Sequence, residues 1–113
     1  MIPMKEELIA YITARIDEHK AEQQRLRRAD RADEADHQQI IINMYGIFQS
    51  IYRAMNGDLS VTTARFRSIM STWEENRRVA LAHEDSAKAY VEEIKLNAAA
   101  DMLRYAEERE EHA

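Results

Sequence analysis

The stretch IIINMYGIFQSIYRAM, residues 40–55, decides the fold of this chain. Its apolar side chains recur at steps of three and four residues, the spacing that places them on one side of an α-helix. The apolar face consists of Ile40, Ile41, Met44, Ile47, Phe48, Ile51 and Met55, widened by Tyr45 and Tyr52, and the narrow polar side consists of Asn43, Gly46, Ser50 and Arg53. Such a helix is predicted to lie at the centre of a bundle or against a second copy of itself.

This central helix is predicted to span residues 33–55. Asn56 and Gly57 mark its end, because glycine supplies the left-handed conformation of the C′ position. The preceding segment predicts an amphipathic helix over residues 4–29, with an apolar face that fades after Ile16.

Residues 29–33 contain neither glycine nor proline, so a continuous helix and a tight reversal are both compatible with them. We predict a break, because one helix running past residue 50 would leave its apolar faces uncovered. Asp30 and Asp33 are both suitable N-caps for the helix that follows.

The pattern after Gly57 is less regular and predicts two short helices in the 58–84 region. The first is predicted over 60–70 with Ser60 as its cap. The second is predicted over 73–82, because two overlapping capping boxes precede it. These boxes pair Ser71 with Glu74 and Thr72 with Glu75.

A last amphipathic helix is predicted over 87–108, with Asp85 or Ser86 as its cap. Two glycines and one proline in 113 residues supply little of the turn material that an all-β fold needs. The sequence therefore predicts an all-α bundle of three long and two short helices. We expect it to form one domain over residues 1–113 and to pair as a dimer.

The composition excludes several classes of function. The absence of cysteine rules out disulfides, iron–sulfur clusters and thiol nucleophiles. Apolar runs such as residues 40–42 are far too short for a membrane span, so we expect a cytoplasmic protein. No serine or threonine lies in a nucleophile-elbow or phosphate-loop motif, so we predict neither an enzyme nor a cofactor.

Glu34 and His37 are the one pair whose spacing suggests a metal site. A glutamate three residues before a histidine lies on the same helix face, and di-iron bundles use such pairs as ligands. Those bundles need two such pairs and two further glutamates, whereas this chain has a single pair. The alternative interpretation is a solvated first helical turn, where acidic side chains favour the helix dipole, and we predict no metal.

Two groups of arginines suggest contact with nucleic acid. They are Arg25, Arg27, Arg28 and Arg31, and Arg65, Arg67, Arg77 and Arg78 around Trp73. Acidic residues directly follow the first group and would oppose a phosphate backbone, and the net charge of the chain is −5. Nucleic acid is therefore not the predicted partner.

We predict a non-enzymatic, homo-oligomeric helical protein that works through contacts with another macromolecule. The basis is the central helix, whose apolar surface exceeds what its neighbours cover in a small monomer. Aromatic and arginine side chains are enriched at binding hot spots. The predicted interface residues are accordingly Tyr45, Phe48, Tyr52, Trp73, Arg77 and Arg78.

Several blocks of the chain are similar to a known family. They are LRRADRADEA (26–35), INMYGIF (42–48), Trp73 and EEIKL (92–96). Together they resemble a set of small all-helical proteins of anaerobic bacteria that have no assigned activity. The resemblance covers most of the chain and implies an all-helical fold, with no functional residue to carry over.

Overall fold

The computed structural model describes residues 3–111, which form four long helices and, within that range, no strand. The helices are α1 (Met4–Arg28), α2 (Ala32–Ala54), α3 (Leu59–Ala82) and α4 (Ser86–Glu111). The all-α prediction is therefore confirmed. Turns of three or four residues join successive helices, which makes neighbours in the chain antiparallel.

The predicted pair of short helices in the 58–84 region is wrong, because α3 runs through it without a break. Ser71 does not cap a new helix, since its hydroxyl donates to the carbonyl of Arg67 one turn earlier, at 3.2 Å. Phe66 and Trp73, two turns apart on one face, are both buried. Burial of a continuous apolar stripe stabilises one long helix. This stabilisation exceeds what the capping boxes would contribute to a break at this point.

The three turns between helices share one hydrogen-bonded form, the Schellman motif, with a left-handed residue after the helix. Asp30, Asn56 and Glu84 hold these positions with φ of 63°, 55° and 58°. In each turn the next amide donates to a carbonyl five residues back, as from Gly57 to Tyr52 at 2.9 Å. The prediction that Gly57 occupies C′ is wrong by one residue, because Asn56 holds it and Gly57 follows with φ of 77°.

The helix starts differ in part from the predicted caps. Asp58, and not Ser60, caps α3 through a bond from the amide of Val61 at 3.1 Å. Of the two caps predicted for α4, Asp85 is the one observed, and it accepts from the amide of Lys88 at 3.0 Å. The chain turns before α2, as predicted. Asp30 is not the cap of α2 but the C′ residue of α1. The residue that precedes α2 is Arg31, whose side chain makes no capping bond to the described chain.

Helix α2 lies at the centre of the core, packed against α1, against α4 and less extensively against α3, while α3 packs mainly on α4. Phe48 of α2 meets Phe66 of α3 edge to face, with ring centroids 5.1 Å apart. Phe66 meets Trp73 in the same way at 6.2 Å. Helix α4 contributes small side chains, of which Ala99 and Ala106 are fully buried, and these allow close packing.

The molecule is flat and open for its size. Its extents are 46 × 35 × 21 Å, and its radius of gyration is 15.3 Å, compared with about 13 Å for a typical domain of this length. The backbone of α1 does not lie close to that of α3 or of α4. A groove therefore lies on each side of α1, and part of α2 is accessible in each groove. Within residues 3–111, the helices all lack the length of apolar sequence that crossing a membrane requires.

Candidate functional site

Two concave surfaces flank α2. The first, here called the α2 groove, lies between α1 and α3 and encloses about 700 Å³. Its floor is the narrow polar side of α2, formed by Asn43, Gly46 and Ser50. Its walls are Ile16 and Lys20 of α1, Ile42, Ile47 and Ile51 of α2, and Ile69 of α3. Of these nine residues of the described chain, Lys20 alone is charged, although charged residues make up 33% of the sequence.

Gly46 lies at the middle of this floor. A Cβ atom built on it would meet no atom of the described chain within 4 Å, apart from its own helix backbone and neighbours. Glycine inside a helix costs about 1 kcal/mol relative to alanine, a cost often linked to a close backbone approach. No such approach is present here, so packing within the monomer gives no reason for glycine at this position.

The second surface, here called the α1–α4 cleft, lies on the other side of α1. Two cavities of about 300 and 440 Å³ share Ile41 and Ile94 in their walls and together form this cleft. Asp101 lies at one end, and His37 lies at the other. The cleft therefore has polar ends and an apolar middle.

Asp101 organises the first end of the cleft. Its Oδ2 atom accepts hydrogen bonds from the hydroxyls of Tyr11, at 3.0 Å, and of Tyr45. Its Oδ1 atom accepts from Arg104 at 3.1 Å. The Nε atom of Arg15 donates to the hydroxyl of Tyr45 at 3.3 Å and lies 3.7 Å from Asp101 Oδ2. This polar cluster joins α1, α2 and α4.

The cluster shifts the pKa values of Tyr11, Tyr45 and Asp101. Burial raises the pKa of Tyr11 to about 12, and the bond to Asp101 adds to that rise. Burial and the bond to Asp101 also raise the pKa of Tyr45 far above its usual range. Burial acts to raise the pKa of Asp101, but the bonds from Tyr45 and Tyr11 and the charge of Arg15 outweigh it and lower the pKa. The tyrosines are therefore neutral donors at pH 7, and their raised pKa values oppose a phenolate nucleophile.

His19 lines the same end of the cleft. Its Nδ1 atom lies 2.7 Å from the Oε1 atom of Gln38 and donates to that oxygen in the tautomer with the proton on Nδ1. In the neutral ring, Nε2 then has a lone pair. That atom is buried and has no hydrogen-bond partner among residues 3–111, so one acceptor of the cleft is unused.

The far end of the cleft contains Glu34 and His37, but it does not bring them together as ligands. Glu34 accepts from the guanidinium of Arg31 at 2.7 Å. His37 contacts the half-exposed ring of Tyr90 edge to face, with centroids 5.2 Å apart. Among residues 3–111, no group of three or more His, Asp or Glu side chains is placed to hold a metal ion.

The residues predicted for a partner interface divide into two sets. Tyr45, Phe48 and Tyr52 of α2 and Trp73 of α3 are each at most 8% exposed and belong to the monomer core. They therefore offer no exposed surface to a partner. Arg77 is half-buried and Arg78 is exposed, and Arg78 pairs with Glu75 on its own helix.

Most of the predicted basic groups are neutralised by nearby carboxylates. Arg25 bonds to Glu22 through Nε at 2.8 Å, and Arg27 lies 3.5 Å from Asp36. On α3, Arg67 pairs with Glu107 at 3.2 Å. These pairs reduce the positive charge that a phosphate backbone would meet.

The sequence did not reveal the cluster around Asp101. Tyr11 and Arg15 are four residues apart and share one face of α1, which is the signal available in the sequence. Their partner lies about 90 residues further along the chain, in a helix with several other acidic residues. Only the packing of α4 beside α1 shows that Asp101, and not another acidic residue of α4, is the partner of Tyr11 and Arg15.

Comparisons with protein-family models, with curated proteins and with solved structures give no match to this chain. The class of the protein therefore follows from its own fold, an antiparallel four-helix all-α protein with an apolar groove and a polar cleft beside its central helix.

Proposed function

We propose that this chain is a non-enzymatic helical interaction protein that pairs with a second copy of itself through the α2 groove. The observation that carries the proposal is Gly46, a helix-weakening residue on the floor of a groove with isoleucine walls, a position that nothing in the described chain covers. Interface centres are depleted of charge, as this groove is. Small floor residues allow another helix to approach closely.

The exposed area supports pairing. The chain exposes 7029 Å², compared with about 6400 Å² for a typical monomer of its mass. The excess is about 600 Å², which is three-quarters of the area of about 800 Å² that each partner buries in a standard interface.

The ridge beside the groove favours a second copy as the occupant. Val61 and Val79 of α3 are each more than a third exposed. They are 18 residues apart, which is five helical turns, so they lie on one face. Around the axis of α3, this face lies nearer to Ile69, which is in the groove wall, than to Arg67, which pairs with Glu107 of α4. In a twofold dimer the ridge of each copy enters the groove of the other, as an isologous contact requires.

The test replaces Gly46 with arginine. Because the site is open in the monomer, the side chain fits, and the helix gains propensity. In a dimer it would instead place bulk and charge at the centre of the contact. We expect the wild type to sediment as a dimer at micromolar concentration and Gly46→Arg as a folded monomer.

The matched control is Ala14→Arg, which adds the same side chain at an exposed site on α1 outside the groove. It should leave the dimer unchanged. A second variant, Val61→Lys with Val79→Lys, should also give monomers if the ridge enters the groove. A wild-type protein that stays monomeric at high micromolar concentration would refute the proposal.

A further inference from the structure

The turn between α2 and α3 contains the one asparagine–glycine pair of the chain. Of the four asparagines, Asn56 alone precedes a glycine, and the others precede Met44, Arg77 and Ala98. The backbone nitrogen of a following residue can attack an asparagine side-chain amide, and glycine leaves that nitrogen unshielded because it has no side chain. Asn56 is also exposed to water. The pair therefore has the chemistry of a self-modifying site.

The reaction needs water and no other reagent. The backbone nitrogen of Gly57 bonds to the Cγ atom of Asn56, its proton passes through solvent to the side-chain nitrogen, and the bond from Cγ to that nitrogen breaks to release ammonia. Water then breaks one of the two C–N bonds of the cyclic imide. Breaking the new bond gives aspartate with the original backbone. Breaking the original peptide bond gives isoaspartate, whose main chain runs through the Cβ atom.

The folded turn opposes the first step. The N–H group of Gly57 donates to the carbonyl of Tyr52 at 2.9 Å, and the attacking nitrogen must give up this proton. Asn56 and Gly57 are both held in the left-handed conformation, with φ of 55° and 77°. A Cβ atom built on Gly57 would meet the Tyr52 hydroxyl at 3.7 Å and the Cδ atom of Lys5 at 3.8 Å, so side chains pack against the turn. Attack therefore requires the turn to open, as the ends of helices do more often than their centres.

We propose that Asn56 is a site of spontaneous deamidation, and that the Schellman turn suppresses the reaction until the end of α2 opens. Isoaspartate adds one atom to the main chain between the amides of residues 56 and 57, so the bond from Gly57 to Tyr52 cannot re-form with the same geometry. Aspartate adds a negative charge beside the negative end of the helix dipole. A chain that has once opened is thereby altered at the end of its central helix.

The first test incubates the full chain in buffer and in concentrated urea at one pH and temperature. Peptide mapping by mass spectrometry follows the replacement of NH₂ by OH at each asparagine. In urea we expect Asn56 to convert faster than Asn43, Asn76 and Asn97, and in the folded chain we expect its rate to be about tenfold lower or less. Equal rates at Asn56 in the two states, or no preference for Asn56 in urea, would overturn the proposal.

Two helix caps provide a matched pair of variants. Asp58 caps α3 directly after the turn, and Asp85 caps α4 at a turn that contains no asparagine. Asp58→Ala loosens the turn and should raise the folded rate at Asn56 about fivefold, which corresponds to the loss of one typical cap. Each folded rate is divided by the rate of the same variant in urea, so that the effect of the altered neighbouring residue cancels.

Asp85→Ala removes an equivalent cap far from Asn56 and should change this ratio by less than about twofold. Equal acceleration by both variants would show that global unfolding, and not this turn, controls the reaction. That result, or acceleration by neither variant, would refute the proposed control by the turn.

Discussion

At the scale of single residues, Asp101 connects three helices through hydrogen bonds. Its carboxylate accepts from Tyr11 of α1, from Tyr45 of α2 and from Arg104 of its own helix. Bonds to a charged acceptor are stronger than those between neutral groups. One side chain therefore holds three helices in register at the edge of the core.

Asp101→Asn should lower the free energy of unfolding by about 1–2 kcal/mol at pH 7, because the charged acceptor is lost. The lowered pKa of Asp101 in the folded state means that its charge stabilises the fold above the unfolded pKa of about 3.9. That contribution is lost as the pH falls through the lower folded pKa. Urea unfolding at pH 7 and at successive acid pH values measures both effects.

The exposed Asp17 provides the control, since Asp17→Asn changes the same side chain outside the cluster. It should leave the acid dependence of the wild type unchanged. If Asp101→Asn unfolds with the same acid dependence as the wild type, the cluster does not stabilise the fold in this way.

At the scale of the elements, the turns show how non-glycine residues take left-handed positions. Asp30, Asn56 and Glu84 occupy C′ in the three Schellman motifs. Asparagine and aspartate tolerate this conformation better than glutamate, whose longer side chain lacks their local bonds. Glu84 is therefore the residue with the greatest unrelieved strain of the three.

Glu84→Gly should raise the free energy of unfolding by about 0.5–1 kcal/mol, because glycine adopts this φ without strain. The gain is smaller than the strain removed, because glycine also increases the conformational freedom of the unfolded chain. Thermal and urea unfolding of the two proteins measure the change. Glu84→Ala keeps a Cβ at the strained position, so it should bring no such gain. A destabilising Glu84→Gly would mean that the glutamate side chain makes a contribution that its exposed position does not suggest.

At the scale of the whole molecule, openness is the main feature. Helix α2 contacts all three other helices, yet its groove side remains uncovered because α1 and α3 lie apart. A flat arrangement of four helices buries less of its apolar surface than a compact bundle does. The proposed second copy would supply the missing cover.

Pairing of this kind predicts a melting temperature that depends on protein concentration. Because dimer formation stabilises only the folded state, the melting temperature of the wild type should rise as concentration increases. The melting temperature of Gly46→Arg should be independent of concentration. A wild-type melting temperature that stays constant across a hundredfold range of concentration would contradict the proposed dimer.

The local pattern of side chains determined a large part of this fold. The spacing of apolar residues in 40–55 predicted α2, and the turn before it followed from the need to cover that helix. The local sequence reduced the cap of α4 to Asp85 or Ser86, and Asp85 is the residue that makes the bond. These features depend on residues within a few turns of one another, which is the range that a linear pattern can report.

Tertiary packing decided the rest. It joined the two predicted short helices into α3, because burying Phe66 and Trp73 along one stripe outweighs the capping boxes between them. It turned the aromatic face of α2 inward and left Gly46 on an open groove. It also brought Asp101 to Tyr11, a pairing that depends on which helices become neighbours and so has no trace in local spacing.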